Sequence, residues 1–216
     1  GPFIMRFFFD ETVLVDEAKP LPRYRVPIAR DGRMFRGPKN APLTLVHFTD
    51  LTQPASQAMD ALIKKAEAKF PDKIRVLKKP HFPFSRDVSI RAFEALFAAE
   101  AQGKAWAMHD QLLTRAEGLG LSQLREAATA AGLDMTRYDK AMNERLFQKQ
   151  VYVGLRAAMG VDVATPETLF INGTRIEQAD FDDIVWTVEH ELKVAAKNTL
   201  PGRTSDQSDA MAPPNG

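Results

Sequence analysis

A chain of 216 residues with 44% apolar content holds enough material for one domain with a full core. Its formal charge of +1 gives no reason to expect a nucleic-acid or anionic-membrane partner. It has no cysteine, which excludes thiol–disulfide exchange for the chain as it stands, because that reaction needs a thiolate attacking sulfur. No run approaches the roughly 18 apolar residues of a membrane span, so no membrane insertion is expected. No signal peptide is read either: the apolar stretch from Phe3 to Phe9 is short and runs straight into Asp10 and Glu11.

The first 40 residues read as an irregular lead-in. Arg6-Phe7-Phe8-Phe9 and Thr12-Val13-Leu14-Val15 each fit a short strand, and residues 16–22 a linker with two prolines. Residues 1–22 are therefore expected to be an extension that adds an edge strand or pairs with a partner. Tyr24-Arg25-Val26-Pro27-Ile28 and Met34-Phe35-Arg36-Gly37-Pro38, joined through Asp31-Gly32, suggest a hairpin, Asp-Gly being a strong turn signal.

Leu43 to Phe48 is dominated by apolar and β-branched residues and predicts a buried strand. Asp50-Leu51-Thr52 breaks it, and Pro54 opens a helix, where proline lacks only an N–H that would be orphaned anyway. Met59, Leu62, Ile63, Ala66 and Phe70 mark the buried face of that helix. The tip, Thr52-Gln53-Pro54-Ala55-Ser56, thus lies at a helix N-terminus, where free N–H groups and the helix dipole stabilise an anion or a thiolate.

Ile74 to Lys78 predicts a second strand that completes a βαβ unit. Prolines keep residues 79–84 irregular, and helical periodicity then sets in. Ile90, Phe93, Leu96 and Phe97 mark one helix; Trp106, His109, Leu112 and Leu113 a second; Leu121, Leu124 and Ala128 a third, capped at Ser122 and stopped at Gly132. Asp134 caps a short fourth, and a fifth runs from about Glu144 to Met159. Nothing in this bundle has metal-ligand spacing, and no metal or other cofactor is expected. Asn172-Gly173 predicts a hairpin turn into Thr174-Arg175-Ile176, and Asp180 caps a final helix through Leu192. From Thr199 onward Pro, Gly, Ser, Asp and Asn dominate, which predicts a disordered tail.

Three stretches together resemble the thioredoxin superfamily, in its DsbA-like branch. They are Phe48-Thr49-Asp50-Leu51-Thr52-Gln53-Pro54-Ala55-Ser56, Lys104-Ala105-Trp106-Ala107-Met108-His109-Asp110, and Val163-Ala164-Thr165-Pro166-Glu167-Thr168-Leu169-Phe170-Ile171-Asn172-Gly173. The resemblance implies an α/β, thioredoxin-like fold over residues 23–198 with a helical insertion at about 86–143. It also implies a Cys-Pro-x-Cys turn facing a cis-proline loop. Here Gln53 and Ser56 stand at the two cysteine positions, and Pro54 is kept between them with Ala55. The facing loop, Thr165-Pro166-Glu167, is one residue longer than the family pattern between proline and Asn-Gly. Either Thr165-Pro166 is the cis pair and Glu167 a bulge, or Glu167 takes the cis site.

Ser56 could act as a nucleophile only with a base in reach, against the plainer reading of a serine bonded within its own helix. Asp50 and Glu167 could pair near the turn, against solvated charges; His47 reads as a satisfied, half-buried histidine. Three functions are compatible with these residues. The first is a non-catalytic module that binds a protein or peptide, with self-association open. The second resembles the kappa-class glutathione transferases and related isomerases, with Ser56 holding a thiolate, although that family's serine matches the position of Gln53. The third is a cysteine-free form of a disulfide oxidoreductase, Ser56 being a common engineered replacement. The resemblance implies a bacterial periplasmic or cell-envelope location.

Overall fold

In a computed structural model the described residues are 34–161, 163, 166–176 and 180–198. The expected extension and the tail from Thr199 lie outside them. Among the described residues five strands form one mixed sheet: β1 (Phe35–Arg36), β2 (Leu43–Thr49), β3 (Ile74–Pro80), β4 (Thr168–Ile171) and β5 (Thr174–Ile176). The order is β1-β3-β2-β4-β5, with β2 and β3 parallel and the other pairs antiparallel. Every residue of β2 is buried, as a central strand covered on both faces requires, and this explains its unbroken apolar run.

Helix α1 (Pro54–Lys69) joins β2 to β3, with Pro54 at its first position as expected. It packs with α7 (Phe181–Asn198) on one face of the sheet, over Leu43, Leu45, Val76, Leu169 and Ile171. The other face, carrying Val46, Phe48, Leu77 and Phe170, meets α6 (Gln148–Gly160). The insertion is α2 (Asp87–Glu100), α3 (Ala105–Leu113), α4 (Leu121–Ala130) and α5 (Met135–Asn143). Its core includes Phe93, Leu96, Met108, Leu112 and Leu124, none more than 1% exposed, each contributing about 1.5–3 kcal/mol by leaving water.

Two expectations change, one holds and one is described only in part. Of the hairpin expected at 24–38, only the second half lies within the described residues, and Phe35–Arg36 pairs there with β3. Helix α4 is capped by Gly120, not Ser122, because the Gly120 carbonyl already accepts from Leu124 N–H and the helix starts two residues early. Helix α6 begins at Gln148, not Glu144. Arg145 has φ 51 and reaches Glu94 and Asp87, which breaks the helical backbone just before it. The Asn172-Gly173 turn is as expected, with φ 47 and 86 as a type I′ turn demands. Asn172 Oδ1 also accepts Thr44 N–H at 2.8 Å, tying the hairpin to β2.

Helix α6 lies so close to β3 that a Cβ at Gly154 would sit 2.7 Å from Pro80 Cγ. Gly154→Ala should therefore lower stability by about 1–2 kcal/mol, overpacking outweighing the gain in helix propensity. Urea unfolding of the variant checks this; a stabilised variant would mean that the two elements are further apart.

Candidate functional site

The odd-numbered residues of β2 face α1, and from His47 onward they change from apolar to polar. His47 lies in register with Lys78 of β3, and Leu169 of β4 faces it from the other side. Behind the turn this places a continuous buried chain of hydrogen bonds. Ser56 Oγ is 2.6 Å from Thr49 Oγ1, and Thr49 Oγ1 donates to Glu167 Oε1 at 2.8 Å. With its proton committed there, the Thr49 hydroxyl accepts from Ser56. Glu167 Oε2 contacts His47 Nε2, and Lys78 Nζ lies 2.7 Å from His47 Nδ1 and 2.8 Å from Asp60 Oδ1. An ammonium can only donate, so Nδ1 accepts and Nε2–H donates to Glu167. Asp60 also accepts from Arg36, which reaches on to Glu67.

Burial sets the protonation of this group. Lys78, with no side-chain exposure, is pushed down to about 8 by loss of solvent, although the Asp60 charge opposes the shift. Burial alone would raise the Asp60 carboxyl; Lys78 and Arg36 outweigh it and hold the group well below the usual carboxylate range. His47 is driven well below its ordinary value, first by burial and then by the Lys78 charge, so it is neutral. Glu167 is raised to about 7 by burial, against the Thr49 hydrogen bond, the Lys78 charge and the Asp50 N–H.

The site residues anticipated from sequence divide into two groups. Gln53, Pro54 and Ala55 form the surface of the turn, Gln53 being the N-cap of α1, with Pro54 and Ala55 exposed. Ser56 is fully buried and bonded to Thr49, not to its own helix as the plainer reading had it. Its hydroxyl is closed to any substrate. Pro166 is exposed beside the turn; Thr165, and with it the Thr165–Pro166 bond, lies outside the described residues. The Pro166–Glu167 bond is trans, and Glu167 has φ 67 with its N–H donating to Phe48 C=O. The reading with Glu167 at the cis site is therefore excluded. The extra residue is absorbed by a left-handed Glu167, whose side chain turns inward.

Asp50 and Glu167 do not pair with each other. Asp50 is buried and accepts from Thr52 N–H, Thr52 Oγ1 and Ser89 Oγ, which fixes the turn. Only its backbone N–H serves Glu167. His47 is satisfied as expected but fully buried, not half-buried. Asp60, His109 and Asp110 bring three ligand-type atoms within 4.8 Å of one another, hidden from spacing because Asp60 belongs to another helix. Lys64 Nζ, however, sits 3.4 Å from Asp60 and 3.5 Å from Asp110. With Lys78 and Arg36 also on Asp60, the group is an ion-pair network already rich in cations and offers a divalent ion little attraction.

Sheet, insertion and turn define a DsbA-like thioredoxin-fold protein whose reactive corner holds no sulfur. A thioredoxin family model (Thioredoxin_4) matches residues 29–190, and the chain belongs to that family. Among solved structures, oxidised BdbD from Bacillus subtilis is similar at 20% identity and TM-score 0.67, over 74% of this chain and 92% of that one. A periplasmic thioredoxin-like protein from Salmonella enterica is similar at 24% identity and TM-score 0.60, over 74% and 89%. Among curated relatives, the Na(+)/H(+) antiporter NhaA 1 of Mycolicibacterium gilvum is 32% identical over 154 residues, 69% of this chain. The match spans only 25% of that antiporter's length. No described helix is long and apolar enough to cross a membrane.

Proposed function

We propose that this chain is a non-catalytic DsbA-like module that binds a protein or peptide partner across the rim of the turn. The observation that carries the reading is the fate of Ser56: its hydroxyl has become core, while the surface around it stays open. Pro54, Phe84 and Pro166 are exposed, and Phe84 stacks on Tyr152 at 5.8 Å. The loop bearing Phe84 is tied to the turn through Arg86, which reaches Thr52 and Asp50. Proline and aromatic surfaces of this kind suit an extended chain with apolar side groups. Burial of Ser56 counts against the glutathione-transferase alternative, which needs that hydroxyl at the surface. The likeness to one quarter of an antiporter supports a module that works joined to, or beside, a larger protein, and the Salmonella relative supports an envelope location.

NMR shift mapping with a library of extended peptides tests the reading. Shifts centred on Gln53, Phe84 and Tyr152 are expected; binding that leaves these residues untouched would overturn it. A companion variant, Gln53→Cys with Ser56→Cys, should gain measurable insulin-reducing activity, since the α1 N-terminus still lowers a thiol pKa. No gain with the fold intact would mean that the remodelled rim no longer admits a disulfide.

A further inference from the structure

Two buried side-chain atoms among the described residues have no hydrogen-bond partner in the protein, Trp106 Nε1 and His109 Nε2. Both belong to α3, and the two ring centroids are 4.8 Å apart. They are orphans of opposite kind. The bond from His109 Nδ1, 3.1 Å from Asp110 Oδ1, holds that carboxyl below its ordinary value, so it is ionised and can only accept. Nδ1 therefore carries the ring proton. Burial lowers His109 itself, which keeps the ring neutral and leaves Nε2 a bare acceptor. The indole N–H is a donor, and a second spare donor is close by. Lys78 is wholly buried, and of its three N–H groups one reaches His47 and one Asp60.

These groups converge on Asp60. A ring nitrogen of His109 lies within 4.8 Å of an Asp60 carboxylate oxygen, and Lys78 Nζ is 2.8 Å from that carboxylate. Arg36, bonded to Asp60 at 3.0 Å, lies 4.8 Å from the centre of the Trp106 ring. The charges here balance, with Lys78, Arg36 and Lys64 set against Asp60, Glu67 and Asp110. A metal ion would meet two N–H donors, and an anion would meet the His109 lone pair. A neutral molecule that both donates and accepts meets neither conflict. Buried waters make about three hydrogen bonds to groups otherwise left unsatisfied, and three such groups are on offer.

We propose that one buried water accepts from Trp106 Nε1 and Lys78 Nζ and donates to His109 Nε2, opening a proton path from the buried network to the surface through Asp110. The water passes a proton to Nε2 as it takes one from Lys78. Nδ1 then releases its own proton to Asp110, whose side chain is 55% exposed and returns it to solvent. Lys78 is left a neutral amine, and the reverse order restores the ammonium and the first tautomer of the ring. Lys78, and through His47 the Glu167 carboxyl, thus exchange protons with solvent beside Lys64 of α1 and not at the turn.

NMR on the full chain and two variants tests the proposal. In the natural chain the Trp106 indole proton should contact a long-lived water, and the His109 nitrogens should report Nδ1 protonated and Nε2 bare. In Asp110→Asn, a change at the surface, the water contact should persist while the Lys78 ammonium protons exchange about tenfold more slowly. In His109→Phe, which keeps a ring and loses the acceptor, the water contact should vanish and the exchange should slow at least as much. Equal protection of the Val46 amide marks each variant as folded; if His109→Phe is not, Asp110→Asn and the natural chain decide. A protonated Nε2, an indole without a water contact, or Lys78 exchange unchanged in folded Asp110→Asn would overturn the proposal.

Discussion

Asp60→Asn should destabilise the fold by about 3–5 kcal/mol, the range for removing one partner of a buried ion pair. Against a typical total of about 5–15 kcal/mol, that leaves a domain unfolded under mild stress. The Asp60 carboxylate receives Lys78 at 2.8 Å and Arg36 at 3.0 Å, with Lys64 at 3.4 Å. Lys64 can turn to water and Arg36 can lean on Glu67. Lys78 has neither outlet: its side chain is wholly buried, and among the described residues its only other neighbour in hydrogen-bond reach is the His47 ring. An asparagine leaves that ammonium uncompensated, so it must deprotonate or drag the strand open. The cause can be isolated with Lys78→Met. Alone, that change frees Asp60 to rely on Arg36; together with Asp60→Asn it should recover much of the lost stability, because no buried charge is left unpaired. Urea midpoints of the four chains give the coupling. A single-variant loss below about 1 kcal/mol, or no recovery in the double variant, would mean that Lys78 is solvated in the native state.

Why the sequence shows the scaffold so readily and this network so poorly follows from what local patterns encode. Pro54, the apolar face of α1 and Asn172-Gly173 act on their own backbone within a few residues, so periodicity and turn chemistry place them directly. His47 and Glu167 are 120 positions apart and Lys78 and His47 are 31 apart; which side chains meet at such separations depends on strand register. A signal was nonetheless present. Ser56, Asp60 and Glu67 form a polar stripe at helical spacing along the inner side of α1, and His47 and Thr49 alternate on one face of a strand otherwise apolar. A polar stripe facing a polar strand face indicates a buried network once the two are known to pack. The expected neighbourhood of the turn and the Pro166 loop is realised through Glu167, whose extra residue the sequence showed but whose inward direction depends on a left-handed backbone that no local signal specifies. Starts of α4 and α6 were missed for a related reason: Gly120 and Arg145 act through backbone geometry and distant partners, not through helix propensity.

Glu167→Gln should remove a pH dependence that the natural chain carries between about pH 4.5 and 7. The carboxyl is raised from its ordinary 4.5 to about 7 in the folded protein. Between those values the folded chain holds a proton that the unfolded chain has released, so stability falls as pH rises. The stabilisation is fully present below 4.5 and lost through 7, an effect of about 3 kcal/mol at 1.36 kcal/mol per pH unit. The partners show why the loss is not avoided. Ionised Glu167 accepts from Thr49, from the Asp50 N–H and from His47, yet these bonds do not repay its removal from water. Protonated Glu167 must find an acceptor, and the nearest is His47 Nε2, which can accept only if the ring moves its proton to Nδ1 and Lys78 withdraws or loses a proton. Titration of Glu167 is therefore coupled to Lys78, which titrates near 8. Glutamine keeps one acceptor but turns an N–H₂ toward the other donor, so the variant should start lower by about 1–2 kcal/mol. The slope, not the level, is the readout. Calorimetric Tm values at pH 5 and pH 7.5 should differ in the natural chain, lower at 7.5 apart from other titrations, and that component should vanish in Glu167→Gln. An unchanged slope would place the titrating group elsewhere and show that the Glu167 carboxylate reaches water.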